Sequence, residues 1–309
     1  MHKVKVQQIF SQNNLGLVES FEKIEIGFTN KVYSINDLYI LKVCENADNE
    51  ESFLREEFFY DFFKKQLPVP RIVVFDDTKK IYNKFYVIYK KIQGDNLYSK
   101  WHLMTNIDRK EIVRQLCGFL KLINQAPSDL FVKKFSISPN INWREKIISQ
   151  INEPLKKVDK QKLISHDFVQ LIKKYVKMNQ HCLDEQKIAL VYWDTHFDNI
   201  LVKDNLIVGI LDFERTELAS IDFVLDIINK MMEFPKKYMS EAFEQYARKE
   251  DYAQLQSWFK EFYPELFLFK NLETRFSLYA LENDLRVLLD WPNSDELKGI
   301  IAKTVNYVK

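Results

Sequence analysis

Three polar residues set inside apolar, β-prone runs restrict this chain more than any other feature. Asp194, Asn199 and Asp212 lie in V-Y-W-D-T-H-F-D-N-I-L-V (Val191 to Val202) and V-G-I-L-D-F-E (Val208 to Glu214). Between them, Ile200 to Val202 and Leu206 to Leu211 read as two short strands joined by the turn Lys203-Asp204-Asn205. A hairpin there carries Asn199 and Asp212 to neighbouring positions, with Asp194 on the loop that leads into it.

Two carboxylates and an amide so gathered suit phosphoryl transfer. That reaction needs one carboxylate to orient and deprotonate an attacking hydroxyl, and oxygen ligands for the magnesium that neutralises nucleotide phosphates. The D-x-x-x-x-N spacing is that of a kinase catalytic loop, and Asp212 stands where protein kinases keep the Asp of D-F-G. The wider string resembles that of the aminoglycoside phosphotransferase and choline kinase superfamily, H-G-D-x-H-x-x-N-I/L-L followed by I-D-F/W-E. Asp194, His196, Asn199, Ile200, Leu201, Asp212, Phe213 and Glu214 match it. The resemblance implies that Asp194 is the catalytic base and that Asn199 and Asp212 hold Mg2+. The family's later G-D-P-x-x-D-L-A survives only as the two aspartates Asp222 and Asp226. Tyr192-Trp193 replaces His-Gly and Phe197-Asp198 replaces Pro-Gly, and glycines permit backbone conformations that Trp and Asp resist. These departures leave the proposed ligands intact and leave the backbone shape of the loop an open question.

Upstream, I-G-F-T-N-K-V-Y-S-I (Ile26 to Ile35) and L-Y-I-L-K-V (Leu38 to Val43) resemble the family's G-x-x-N nucleotide loop and the strand that carries its ATP-binding lysine. Gly27, Asn30 and Lys42 are the residues so implicated. Alternation puts Lys42 on the face opposite Tyr39, Leu41 and Val43. Phe53 to Phe63 repeats apolar residues at helical spacing and runs up to Leu67-Pro68-Val69-Pro70. In the family a glutamate of this helix pairs with the lysine, and counting back from Leu67 selects Glu56 over Glu57. A strand from Phe85 to Tyr89 then leads into Lys90-Lys91-Ile92-Gln93-Gly94, which resembles the family's inter-lobe hinge.

The fold expected is α+β and protein-kinase-like: a small antiparallel-sheet lobe with one helix over residues 1–93, for nucleotide, and a mainly helical lobe over 94–309, for catalysis and acceptor. Ile107 to Ile123 carries a one-sided apolar stripe after the capping box Thr105-x-x-Asp108. Further helices are expected near Asp167 to His181, Asp222 to Glu233, Tyr238 to Ala247, Asp251 to Phe262, Leu272 to Leu289 and Ser294 to Val308. Glu282 and Asp284 sit where the resemblance implies carboxylates for a cationic acceptor, a solvated helix face being the alternative. Trp101, Trp258 and Trp291 are read as core before pocket.

A net charge of +1 over 309 residues gives no reason to expect nucleic acid or an anionic membrane as partner. The polar start of the chain and the lack of a long apolar run argue for the cytoplasm. Cys44, Cys117 and Cys182 are too scattered for a disulfide framework or zinc cluster, and Cys117 falls beside an apolar helix face. The function expected is transfer of the γ-phosphoryl group of ATP or GTP, with Mg2+, to a hydroxyl of a small molecule; an aminoglycoside-type antibiotic or another amine-bearing metabolite is the acceptor implied. Two alternatives are weighed against it. The lost His-Gly suggests a catalytically silent nucleotide-binding regulator, and D-x-H-x-D (Asp194, His196, Asp198) suggests a metal-dependent hydrolase. Oligomeric state is not legible.

Overall fold

Alternation along the strand Tyr39–Val43 sends Leu41 and Val43 to one face of a sheet and Lys42 to the other. The computed structural model, which describes residues 2–24 and 30–305, builds a five-stranded antiparallel sheet around this strand. Its order is Phe21–Ile24, Lys31–Ile35, Tyr39–Val43, Tyr86–Lys90, Ile72–Asp76. On the first face Tyr33, Ile35, Leu41, Val43, Tyr86 and Ile88 pack with Val6, Ile9 and Phe10 of the helix Lys3–Gln12. On the second, Cys44, Phe85 and Val87 pack with Phe53 of the helix Glu50–Phe63. Lys42 therefore shares its face with the second helix, whose acidic first turn suits its N-terminus. The Lys3–Gln12 helix is an addition to the single helix expected here. It buries only three side chains in a Lys- and Gln-rich segment, too thin a stripe to stand out in the sequence.

The hairpin after Asn199 forms as its alternation requires. Ile200–Lys203 pairs with Leu206–Ile210, and Asp204 and Asn205 both take left-handed φ (50° and 58°) in a two-residue turn that matches strand twist. Asp95–Asn96 adds a third strand. Just before it Gly94 is required: a Cβ there would lie 2.7 Å from Val208 Cγ2. The helix Asn106–Gln125 starts at a reciprocal capping box, in which the Thr105 hydroxyl donates to Asp108 Oδ2 (2.6 Å) and accepts from the Asp108 amide (3.2 Å).

The chain divides into two compact units. The first gathers Met1–Leu122, Asp194–Thr216 and Ile227–Phe262; the second gathers Ile123–Trp193, Glu217–Asp226 and Tyr263–Lys309. Within the first, residues 235–252 run as three 3₁₀ turns (Pro235–Tyr238, Glu241–Tyr246, Lys249–Tyr252), where the sequence suggested an α-helix over 238–247. Side chains from distant positions hold this stretch: the Tyr98 hydroxyl donates to the Tyr238 carbonyl (2.7 Å) and Trp101 Nε1 to that of Asp251 (2.9 Å). Trp101 and Trp258 are core, whereas Trp291 is exposed.

The second unit packs the helix Leu272–Asp290 against Trp143–Lys160 and Asp295–Thr304. It also pairs Ile188–Val191 with Glu217–Ser220. At its centre Arg275 and Asp222 form a fully buried pair. Asp222 accepts from Arg275 Nε (2.7 Å) and Nη2 (2.8 Å), from the Tyr279 hydroxyl (2.8 Å) and from the Ser220 hydroxyl (2.5 Å), so its lone pairs are satisfied. All three cysteines are free and buried, and burial pushes the Cys117 thiol up to about 12, as befits packing rather than chemistry. No helix among the described residues is long and apolar enough to cross a membrane.

Candidate active site

The residues singled out around Asp194, Asp212 and Lys42 all fall in the first unit. Lys42, on the helix-facing side of its strand, is paired with Glu56 Oε2, and Glu214 Oε2 lies 3.8 Å from the same ammonium. Burial alone would lower the Lys42 pKa. The charges of Glu56, Asp212 and Glu214 outweigh it and hold the group well above the ordinary lysine value. Lysine is thus a fixed positive charge among three carboxylates.

Glu56 is held in turn. The Tyr60 hydroxyl, one helical turn on, donates to Glu56 Oε1 (2.6 Å) and accepts the backbone N–H of Asp212 (2.9 Å). Asp212 adopts a left-handed φ of 58°, and its Oδ1 is buried with no hydrogen-bond partner among the described residues. An orphaned carboxylate oxygen at that place fits a cation. Asn199 offers a second oxygen: its Nδ2 donates to the Asp194 carbonyl (2.9 Å), which commits the amide nitrogen and frees Oδ1. Two protein oxygens suit Mg2+, which keeps waters and takes phosphate oxygens for the rest. Glu214, beside them, is pushed up to about 7 by burial first and then by the charge of Asp212, against the pull of Lys42.

Asp194 is largely buried, and His196 Nε2 stands 3.5 Å from its Oδ1. Burial raises its pKa; His196 and Arg215 pull it down and Asp212 adds to the rise. The carboxylate is therefore more basic than an exposed aspartate. Among the remaining residues named from the sequence, Gly27 lies outside the described residues. Asn30 is described, with Oδ1 shielded from solvent and without a hydrogen-bond partner among the described residues. Glu282 and Asp284 belong to the second unit, on the helix Leu272–Asp290; Asp284 is buried and Glu282 Oε1 is 3.7 Å from Arg286 Nε.

The departures from the family string cost the loop nothing. Trp193, Phe197 and Asp198 are absent from the positions with positive φ, so no glycine is needed there. Tyr192 and Phe197 are fully buried, and Phe197 packs on Trp101 (4.6 Å) and Tyr98 (5.4 Å). Asp198 accepts from the Ser240 amide and hydroxyl, both at 2.9 Å, and from Asn96 Nδ2 (3.2 Å), which commits its carboxylate to structure. Sequence reading overlooked Tyr60, although an i, i+4 relation to Glu56 was there to be seen, and left Glu214 a bare motif match.

A small antiparallel sheet with a lysine–glutamate pair, followed by a hairpin presenting Asp, Asn and Asp, defines an α+β kinase-like phosphotransferase. The model of the phosphotransferase enzyme family matches residues 20–258, and the chain belongs to that family. By that membership it is a phosphotransferase. Among solved structures it is similar to the ADP-bound aminoglycoside phosphotransferase APH(2'')-Ib, with 17% identity, 97% of this chain and 95% of that one covered, and a TM-score of 0.70. It is also similar to the GDP and kanamycin complex of APH(2'')-IIIa, with 16% identity, 99% and 97% covered and a TM-score of 0.70. A third match is the streptomycin–ATP–APH(2'')-IIa ternary complex, with 16% identity, 98% and 96% covered and a TM-score of 0.66. A search of curated proteins found no match to this sequence.

Proposed function

We propose that this chain moves the γ-phosphoryl group of ATP or GTP to a hydroxyl of a small, amine-bearing molecule in the cytoplasm, aminoglycoside-type antibiotics being first among the acceptors. The observation that carries this reading is the continuous line from Lys42 through Glu56 and Tyr60 to Asp212. It ties a phosphate-holding charge to a metal-holding carboxylate, the two things phosphoryl transfer requires of a protein. Asp194 accepts the proton as the acceptor oxygen bonds to phosphorus and the bond from the γ-phosphorus to the bridging oxygen breaks. Lys42, positioned by Glu56, holds nucleotide phosphates, and Gly27 and Asn30 contribute to nucleotide binding. Asn199 and Asp212 hold Mg2+, which when bound neutralises phosphate charge. Residues 1–93 serve the nucleotide, and 94–309 serve catalysis and acceptor. Glu282 and Asp284 meet the acceptor's amine.

The structurally similar proteins were solved with ADP, ATP and GDP and with kanamycin and streptomycin, which supports both nucleotide and acceptor class. A silent regulator is disfavoured because the altered loop keeps its base, amide and carboxylate. A hydrolase built on Asp194, His196 and Asp198 is disfavoured because Asp198 is engaged by Ser240 and Asn96. The test is a mass-spectrometric screen for products heavier by one phosphoryl group, run with ATP and GTP separately over aminoglycosides, choline and amino sugars. No product with any acceptor, from a chain that binds magnesium nucleotide, would favour the regulator.

A further inference from the structure

We infer that Tyr60 is a positioning residue of this active site: through its hydroxyl, the helix that carries Glu56 sets the backbone of Asp212. The inference rests on the kinase reading above, since it takes Asp212 as a magnesium ligand. Its basis is a pair of hydrogen bonds whose directions are fixed. The amide of Asp212 can only donate, so the Tyr60 oxygen is its acceptor (2.9 Å) and the phenolic hydrogen is left for Glu56 Oε1 (2.6 Å). Tyr60 is 2% exposed, so water does not substitute for either partner. Burial, then the charge of Glu56, push the phenol well above its ordinary value, and the hydroxyl keeps its proton.

The amide that Tyr60 holds is that of the residue with the strained backbone. A left-handed φ on a residue with a Cβ is disfavoured, and Asp212 holds 58° while its Oδ1 is buried with no hydrogen-bond partner among the described residues. A fixed peptide plane upstream of Asp212 is what keeps that carboxylate in place before a cation arrives. Glu56 and Tyr60 lie one turn apart on a single helix, so a shift of the helix moves the Lys42 partner and the Asp212 anchor together. Packing is separable from this role. Phe213 has ring centroids 6.0, 5.9 and 5.9 Å from those of Phe59, Tyr60 and Phe63, contacts that a phenylalanine at residue 60 retains.

Tyr60→Phe therefore removes the joint and leaves the core. ADP binding is measured by calorimetry with and without magnesium in the parent, in Tyr60→Phe and in Lys42→Met, with thermal melting alongside. The substitution removes two buried hydrogen bonds, and loss of the one to Asp212 should cut the affinity gained on adding magnesium by about 3- to 10-fold. Metal-free ADP binding should stay within about twofold of the parent, because Lys42 keeps its pairing with Glu56 Oε2, the oxygen that Tyr60 does not hold. Lys42→Met should show the reverse pattern, losing affinity in both conditions. An unchanged magnesium gain in a folded Tyr60→Phe chain, or equal losses with and without magnesium, would overturn the inference and leave the kinase reading standing. A parent chain that binds no magnesium nucleotide would overturn both. Should the phenylalanine variant not fold, 3-fluorotyrosine at residue 60, a weaker acceptor of the same shape, takes its place: a smaller magnesium gain supports the inference, and an undiminished one refutes it.

Discussion

Replacing Asp194 by asparagine should slow the enzyme and stabilise it at once. Asn199 Nδ2 grips the backbone carbonyl of Asp194 (2.9 Å) rather than its carboxylate, whose Oδ1 lies 3.5 Å from His196 Nε2. The amide therefore enters the same space without undoing the loop. Loss of a general base costs about 10²–10⁴ in kcat, or about 2.7–5.5 kcal/mol of barrier. Nucleotide affinity should stay close to the parent's, since Lys42, Asn199 and Asp212 are unaltered. The effect on stability has the opposite sign. Burial raises the Asp194 pKa above 3.8, so the folded chain binds this proton more tightly than the unfolded one. That contribution is fully present below the unfolded pKa and is lost as pH rises through the raised value, which leaves the ionised group a net cost at neutral pH. Asparagine removes the cost. The assay is steady-state kcat on the identified acceptor beside thermal melting at pH 7 and at about pH 4, where the parent's deficit should shrink. Full turnover by Asp194→Asn would mean that the catalytic loop is misassigned; lower turnover with a lower melting temperature at pH 7 would refute the buried-base account.

Three further outcomes are expected. Asp212→Ala should abolish transfer while Asn199→Ala keeps a residue of activity that extra magnesium partly restores; equal, magnesium-insensitive losses would count against both ligands. Glu282→Gln should raise KM for an amine-bearing acceptor with little change in kcat, and added salt should raise the parent's KM in the same way; an efficient neutral acceptor and an unchanged variant would end the amine hypothesis alone. Arg275→Met should cost about 3–5 kcal/mol by leaving the fully buried Asp222 unpaired, lowering the melting temperature by about 10 °C; a shift of a degree or two would mean that the pair contributes little.

How much of this was legible depended on whether a feature is written locally. The hairpin between Asn199 and Asp212 obeys a period of two, turns at Asp204-Asn205, and was readable to within a residue or two. Thr105 and Asp108 cap their helix as their spacing implies. The turns of residues 235–252 were misread because their geometry is imposed by Tyr98, Trp101 and Asp198, all far away in sequence. The missing glycines pointed to the wrong place: Trp193 and Asp198 need no left-handed backbone, and the residue that has it, Asp212, carries no such mark. Tyr60 escaped notice because an aromatic run, F-F-Y-D-F-F, reads as core, and core is what its ring does; only its oxygen does something else.

The first unit is assembled from three separate stretches, Met1–Leu122, Asp194–Thr216 and Ile227–Phe262, with the second unit's residues threaded between them. This has a consequence for birth on the ribosome. When Lys42 and Glu56 have emerged, Asp212, whose amide satisfies Tyr60, is still some 150 residues away in the message. The nascent sheet must wait with its buried lysine cluster half built while the residues of the other unit are made. Contacts that close such long loops form late and slowly, and exposed intermediates of this kind are prone to aggregate. Premature stop codons anywhere before Asp212 should accordingly yield insoluble fragments rather than a working nucleotide-binding module, and slowed translation between residues 123 and 193 should lower the yield of native enzyme.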